Sequence, residues 1–200
     1  MPFLVAALFV AGLLGAWHWW TSEREVPRPP GVLAPLEPRQ VDVAAERRIA
    51  HDAHVLHVRA RFEIDARVLQ KSIYRLDGGA DVAPVDLGVG WEPMSDSAVV
   101  ADLEFSQMGR FLYWRPRDPA RFPLAPEAIT RNATQLHLIP ANREIESRLK
   151  RLRPGAHVAI GGWLVDVTGP NRFAWRTSMS RTDTGAGACE IVYVETLGVR

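Results

Sequence analysis

The residues best suited to chemistry lie in "RTDTGAGACEIVYVE", residues 181–195, where the only cysteine, Cys189, follows Asp183-Thr184-Gly185-Ala186. That tetrapeptide matches the core of an aspartic protease, in which two aspartates share one proton. Here the preceding residues are polar, only seventeen follow Asp183, and no second Asp-Thr-Gly exists within the chain. A thiolate mechanism is the other possibility, with Cys189 as nucleophile, His137 as base and Asp183 or Glu190 as orienter, because a thiol needs a neighbouring base or cation to ionise near neutral pH. The competing reading is structural. Cys189, Ile191 and Tyr193 alternate onto one face of an apolar strand, and "DTGAG" reads as a turn leading into it. His51, His54 and His57 invite a metal, yet in a strand His54 and His57 face opposite sides, so no metal site is expected there.

The middle of the chain offers a binding surface. In "YRLDGGADVAPVDLGVGWEPMSD", residues 74–96, Asp77, Asp81, Asp86 and Asp96 stand among glycines and prolines with Trp91. Carboxylates on such a loop can hold a cation or an amine, although the EF-hand order of ligands is absent. Aspartates that cap helices and close turns are the plainer alternative. Arg110 follows in "SQMGRFLYWRPRD", an aromatic and basic stretch that reads first as a core strand. Asp77, Asp81, Asp86, Trp91, Asp96 and Arg110 are therefore the expected binding residues, and Cys189, His137 and Asp183 the alternative catalytic ones.

The elements that position them are mostly strands. Residues 54–64 alternate between apolar and polar, as do 172–179, and strand-like runs follow at 110–115, 134–139, 157–167 and 189–195, with a bulge expected at Gly161-Gly162. One amphipathic helix is predicted over 142–152, capped by Asn142, and a short one after Ser95 or Asp96. The fold class is α+β, mainly β. An OB-like barrel and a small sandwich or meander all fit that order.

Before the domain, residues 3–20 are eighteen residues without Asp, Glu, Lys or Arg, ending in Trp17, Trp19 and Trp20. As a helix they would cover roughly 27 Å, enough to cross a bilayer with the aromatic rings at the headgroups. A cleaved signal peptide is the rival, weakened by the poor cleavage site at Leu14-Gly15-Ala16. Five prolines in 26–39 suggest an extended spacer. The expected division is an anchor at 1–21, a proline-rich spacer at 22–40 and a β-rich globular domain at 41–200. Arg24 and Arg28 after the span favour a cytoplasmic body on charge alone, while the tethered plan favours a periplasmic one. The periplasmic side of a bacterial inner membrane is the expectation taken forward.

Charge narrows the partners. Lys and Arg number 24 against 23 Asp and Glu, for a net charge of +1, which supplies no field to gather nucleic acid. No motif asks for a cofactor, and one cysteine cannot form an intrachain disulfide. At "GADVAPVDLGVGWEPMSD", then "SQMGRFLYWR", then "DTGAGACE", the chain resembles a small family of N-terminally membrane-anchored bacterial proteins with no known activity. The Pro-Val-Asp-Leu, Gly-Trp and Met-Ser-Asp order is shared, with Glu92 here where Gly usually follows the Trp. The resemblance covers roughly residues 74–190. It implies bacterial membrane attachment and that the three segments belong together. The function expected is a membrane-anchored binding or scaffold domain, partnered by the bilayer through residues 3–20 and by another membrane or envelope protein. A membrane-anchored hydrolase or transferase using Cys189 and His137 is the alternative.

Overall fold

The computed structural model describes residues 24–180 and 189–200. The apolar segment 3–20 and Asp183 lie outside the described residues. Among those described, no helix is long and apolar enough to cross a membrane.

Strands dominate, in the order β1 (Arg39–Asp42), β2 (Arg48–His51), β3 (His54–Ile73), β4 (Val85–Gly90), β5 (Leu103–Met108), β6 (Phe111–Pro116), β7 (Ala133–Pro140), β8 (His157–Thr168), β9 (Ala174–Trp175) and β10 (Glu190–Val199). The helices are α1 (Ser97–Val100), α2 (Pro126–Arg131) and α3 (Arg143–Arg151), with 3₁₀ turns at Glu92–Ser95 and Pro170–Arg172. The domain is mainly β, as its alternating sequence predicts.

Five strands close on themselves. β3 pairs antiparallel with β4, β4 with β7, β7 runs parallel to β10, β10 pairs antiparallel with β8, and β8 returns to β3. β3 can serve both neighbours because it is twenty residues long: 55–67 pair with β8 while 67–73 pair with β4. Inside, Phe62, Leu87, Leu136, Leu164 and Val192 meet in one cluster fed by all five strands. Helix α3 plugs one end with Ile145 and Leu149. Its first turn is capped as expected, Asn142 Oδ1 accepting from the Ile145 N–H at 3.0 Å.

Several expectations change. The bulge opposite Gly161-Gly162 is real, but the extra residue is Glu195 on β10, since pairing slips between Val194 and Thr196. The alternation at 172–179 yields only β9, two residues long, after the turn at Pro170–Arg172. Residues 85–90, placed by the sequence in a loop, form a strand buried throughout. His54 is buried while His57 reaches Thr168 on the other face, and among the described residues no group of three His, Cys, Asp or Glu could hold a metal.

The proline-rich stretch forms neither helix nor strand before Arg39, and it is strapped to the domain. Val26 N–H donates to the Pro154 carbonyl at 2.7 Å, Ala34 is fully buried in the barrel cluster, and the Glu92 N–H donates to the Ala34 carbonyl at 2.7 Å. Gly155 shows how close the approach is: its φ is +81°, and a Cβ there would stand 2.2 Å from the Val26 carbonyl oxygen.

Candidate functional site

Alternation along β4 sends Val85, Leu87 and Val89 into the barrel and Asp86 and Gly88 to its outer side. On β7, Leu136 and Leu138 point in, and Gln135 and His137 point out. The register sets Asp86 directly opposite His137, and Gly88 opposite Gln135. An outer barrel face should be wet, yet Asp86 is 0% exposed and His137 2%. The cover is the β5–β6 hairpin, part of a long insertion between β4 and β7. Leu112 presses so closely that a Cβ on Gly88 would lie 2.7 Å from its Cδ1.

A buried carboxylate needs charged and hydrogen-bonding partners. Asp86 Oδ1 accepts from Arg110 Nη1 at 2.9 Å, Oδ2 accepts from Gln107 Nε2 at 3.2 Å, and His137 Nδ1 lies 3.0 Å from Oδ2. Arg110, at the hairpin tip, also grips Asp77 bidentately, Nε to Oδ2 at 2.9 Å and Nη2 to Oδ1 at 2.7 Å, and donates to the Ala83 carbonyl at 3.1 Å. Its guanidinium carbon stands 3.9 Å from the Tyr74 ring centroid and 5.2 Å from that of Trp175, both within cation–π range. The His137 and Trp175 rings lie 4.5 Å apart, so Trp175 neighbours two of the three partners of Asp86, Arg110 and His137. Tyr74 Oη donates to the Gly109 carbonyl at 2.7 Å and accepts from Gln107 Nε2 at 2.7 Å. Burial, then the charge of Asp86, push the Tyr74 phenol up to about 12, so it stays a neutral donor.

The sequence-predicted residues divide sharply. Asp77, Asp86 and Arg110 come together, and His137, singled out as a catalytic base, joins them. The carboxylate beside His137 is Asp86, in the place reserved for Asp183 or Glu190; Glu190 instead accepts from Thr134 Oγ1 at 2.6 Å. Cys189 reaches the same locus, its thiol 3.9 Å from the Arg110 carbonyl oxygen. Asp81 stands apart, its carboxylate 3.7 Å from buried His54. Asp96 caps α1 by accepting from the Ala98 N–H at 2.8 Å and takes the Gly31 N–H of the strap at 2.8 Å. Trp91 is 2% exposed and belongs to the barrel core rather than to the surface. Tyr74, Gln107 and Trp175 are the members sequence reasoning missed; the aromatic-rich alternation at 172–179 was the one available sign of Trp175.

Asp77 makes the cluster acid-sensitive. Hydrogen bonding to Arg110, partly opposed by burial, holds its carboxyl below the usual range. A depressed carboxyl contributes stability in full above its unfolded value, near 4, and loses it as pH falls through the folded value. The hairpin should therefore loosen below about pH 4, seen as Trp fluorescence changes, and Asp77→Asn should flatten that step. An unchanged acid transition in Asp77→Asn would show that the bidentate grip does not hold the tip.

As chemistry, the cluster is an arginine-centred latch: every Asp86 oxygen and both sides of the Asp77 carboxylate are engaged within the protein. No family model, curated protein or solved structure matches this chain.

Proposed function

We propose that this chain is a membrane-tethered binding domain of the bacterial envelope. Residues 3–20 anchor it in the inner membrane, the barrel stands on the periplasmic side, and the β5–β6 hairpin is the surface offered to a neighbouring membrane or envelope protein. The strand order, with α3 between the third and fourth barrel strands, fits an OB-type barrel. In that fold, the face of the second and third strands and the flanking loops commonly receive ligand. Fold alone assigns no partner.

The observation that carries the reading is what the latch presents. It fixes the hairpin over β4 and β7, and the outer side of the hairpin then shows Met108 at 69% exposure, Phe111 at 37% and Tyr113 at 46%. Leu76, 99% exposed, lies in the loop that Tyr74 and Asp77 tie to the tip. Apolar and aromatic side chains held rigidly in solvent mark interaction sites. Tethering raises the effective concentration of such a surface for partners in the same membrane.

The test is site-specific photocrosslinking in cells making the full chain. A photoreactive residue at Phe111 should yield one discrete higher-mass adduct, several-fold stronger than the same probe at exposed Glu144 on α3. Equal or absent adducts at both positions would overturn the hairpin assignment. The alternative, a membrane-anchored hydrolase or transferase, draws on the Asp86–His137 contact, which resembles the orienter and base of a nucleophilic site. It is weaker because Asp86 is shared with Arg110 and His137 is covered.

A further inference from the structure

Beside the strap, a groove of about 830 Å³ opens between β3, α1 and the base of the hairpin. A bulge creates its chemistry. The pairing of β3 with β4 slips between Val68 and Gln70, so Val68 enters the barrel while Leu69 packs with Val100 and Leu103 beneath the hairpin. Three residues apart, Arg67 and Gln70 would face opposite ways on a regular strand; with the extra residue between them, both line the groove.

Arg67 is 2% exposed, a burial that arginine tolerates only with partners. Its Nη2 donates to Glu25 at 2.7 Å and Nη1 to Ser97 Oγ at 2.6 Å, but buried Nε has no partner among the described residues. Gln70 donates its amide N–H groups to the Lys71 carbonyl and Ser72, while its buried Oε1 accepts from none of the described residues. One unmet donor and one unmet acceptor on the same groove describe a ligand carrying an anionic oxygen and a hydroxyl. Arg28 and Arg117 add positive charge against Glu25 and Glu104, leaving the lining positive by one. Leu69, Val100, Leu103 and Phe105 supply an apolar side. Glu25 follows the apolar segment by five residues, a reach of at most about 18 Å in extended chain.

We propose that this groove binds an anionic glycerophospholipid whose headgroup carries a free hydroxyl. The phosphate accepts from Arg67 Nε, the headgroup hydroxyl donates to Gln70 Oε1, and the glycerol and upper acyl chain lie along the apolar side. The lipid as source rests on the membrane attachment proposed above; the polar site rests on Arg67 and Gln70 alone.

The experiment is native mass spectrometry of the full chain in maltoside micelles, titrated with phosphatidylglycerol, phosphatidylcholine or inorganic phosphate. Phosphatidylglycerol should bind at least tenfold more tightly than phosphatidylcholine. Arg67→Lys, which keeps the charge but lacks Nε, and Gln70→Leu should each weaken it about tenfold. Should Arg67→Lys fail to fold, Gln70→Leu carries the test, with thermal melting as the fold check. Equal binding of the two lipids, or variants that bind as the parent does, would overturn the proposal. So would full displacement by inorganic phosphate at matched concentration, which would make free phosphate the ligand. Carbonate extraction of membranes keeps the two readings apart. A chain that is extracted yet binds phosphatidylglycerol retains the site and loses the anchor; one that resists extraction but binds no lipid retains the anchor and loses the site.

Discussion

Arg110→Ala should destabilise the domain by about 3–5 kcal/mol, because it strands a buried carboxylate rather than simply deleting a contact. Asp86 would keep His137 and the longer Gln107 bond but lose its only arginine partner among the described residues, with no exposure to water. Asp77, Tyr74 and Trp175 would lose their shared neighbour in the same step. A loss of this size is a large part of the roughly 5–15 kcal/mol that holds a domain folded. Pairing the change with Asp86→Asn should recover at least half of it, since the uncompensated charge is then gone. Urea unfolding of the parent, both single variants and the double variant reads the cycle directly. An Arg110→Ala cost below about 1 kcal/mol, or no recovery in the double variant, would show that the latch does not secure the hairpin.

Trp91→Ala should be comparably damaging, about 3–5 kcal/mol, through the cavity left in the barrel core. Trp91→Phe should cost much less, under about 1.5 kcal/mol. It keeps most of the volume and removes an indole Nε1 that is buried without a hydrogen-bond partner among the described residues. The two midpoints in urea, at unchanged slope, distinguish packing from contact with a partner. Near-parental stability of Trp91→Ala would contradict the packing described for that side chain.

These residues also show where sequence reasoning succeeds and fails. β3, β6, β7, β8 and β10 are legible because one side of each strand meets apolar neighbours and the other is more polar. Helix α3 is legible from its Ile145–Leu149 stripe and the Asn142 cap. From sequence, β4 reads as loop because its outward positions are Asp86, Gly88 and Gly90, which in isolation signal turns. Its inward Val85, Leu87 and Val89 carried the period-two pattern all along. What the strand needed was a roof, and that roof comes from residues 103–116, folded back over it. For the same reason Asp77, Asp86 and Arg110 could be chosen as a group, while His137 could not be joined to them. Only the register across β4 and β7, separated by the inserted hairpin and helices, makes Asp86 and His137 neighbours. Trp91 misled because a tryptophan among glycines and prolines looks exposed; the strap that covers this region, with Ala34 at its centre, is a contact distant in sequence.

The placement of β10 between β7 and β8 governs the order in which the molecule can be made. β7 has no partner on that side until residues 190–194 arrive, and the two do not follow one another as a hairpin but run parallel. The barrel seam is therefore sealed by a late-synthesised strand. Until then, the half-built sheet offers an unpaired edge beside a row of valines and leucines. Such non-local closure is slow compared with local pairing. During synthesis the nascent chain consequently passes through an open-edged stage, and its greatest exposure to aggregation and proteolysis falls there rather than in the finished fold.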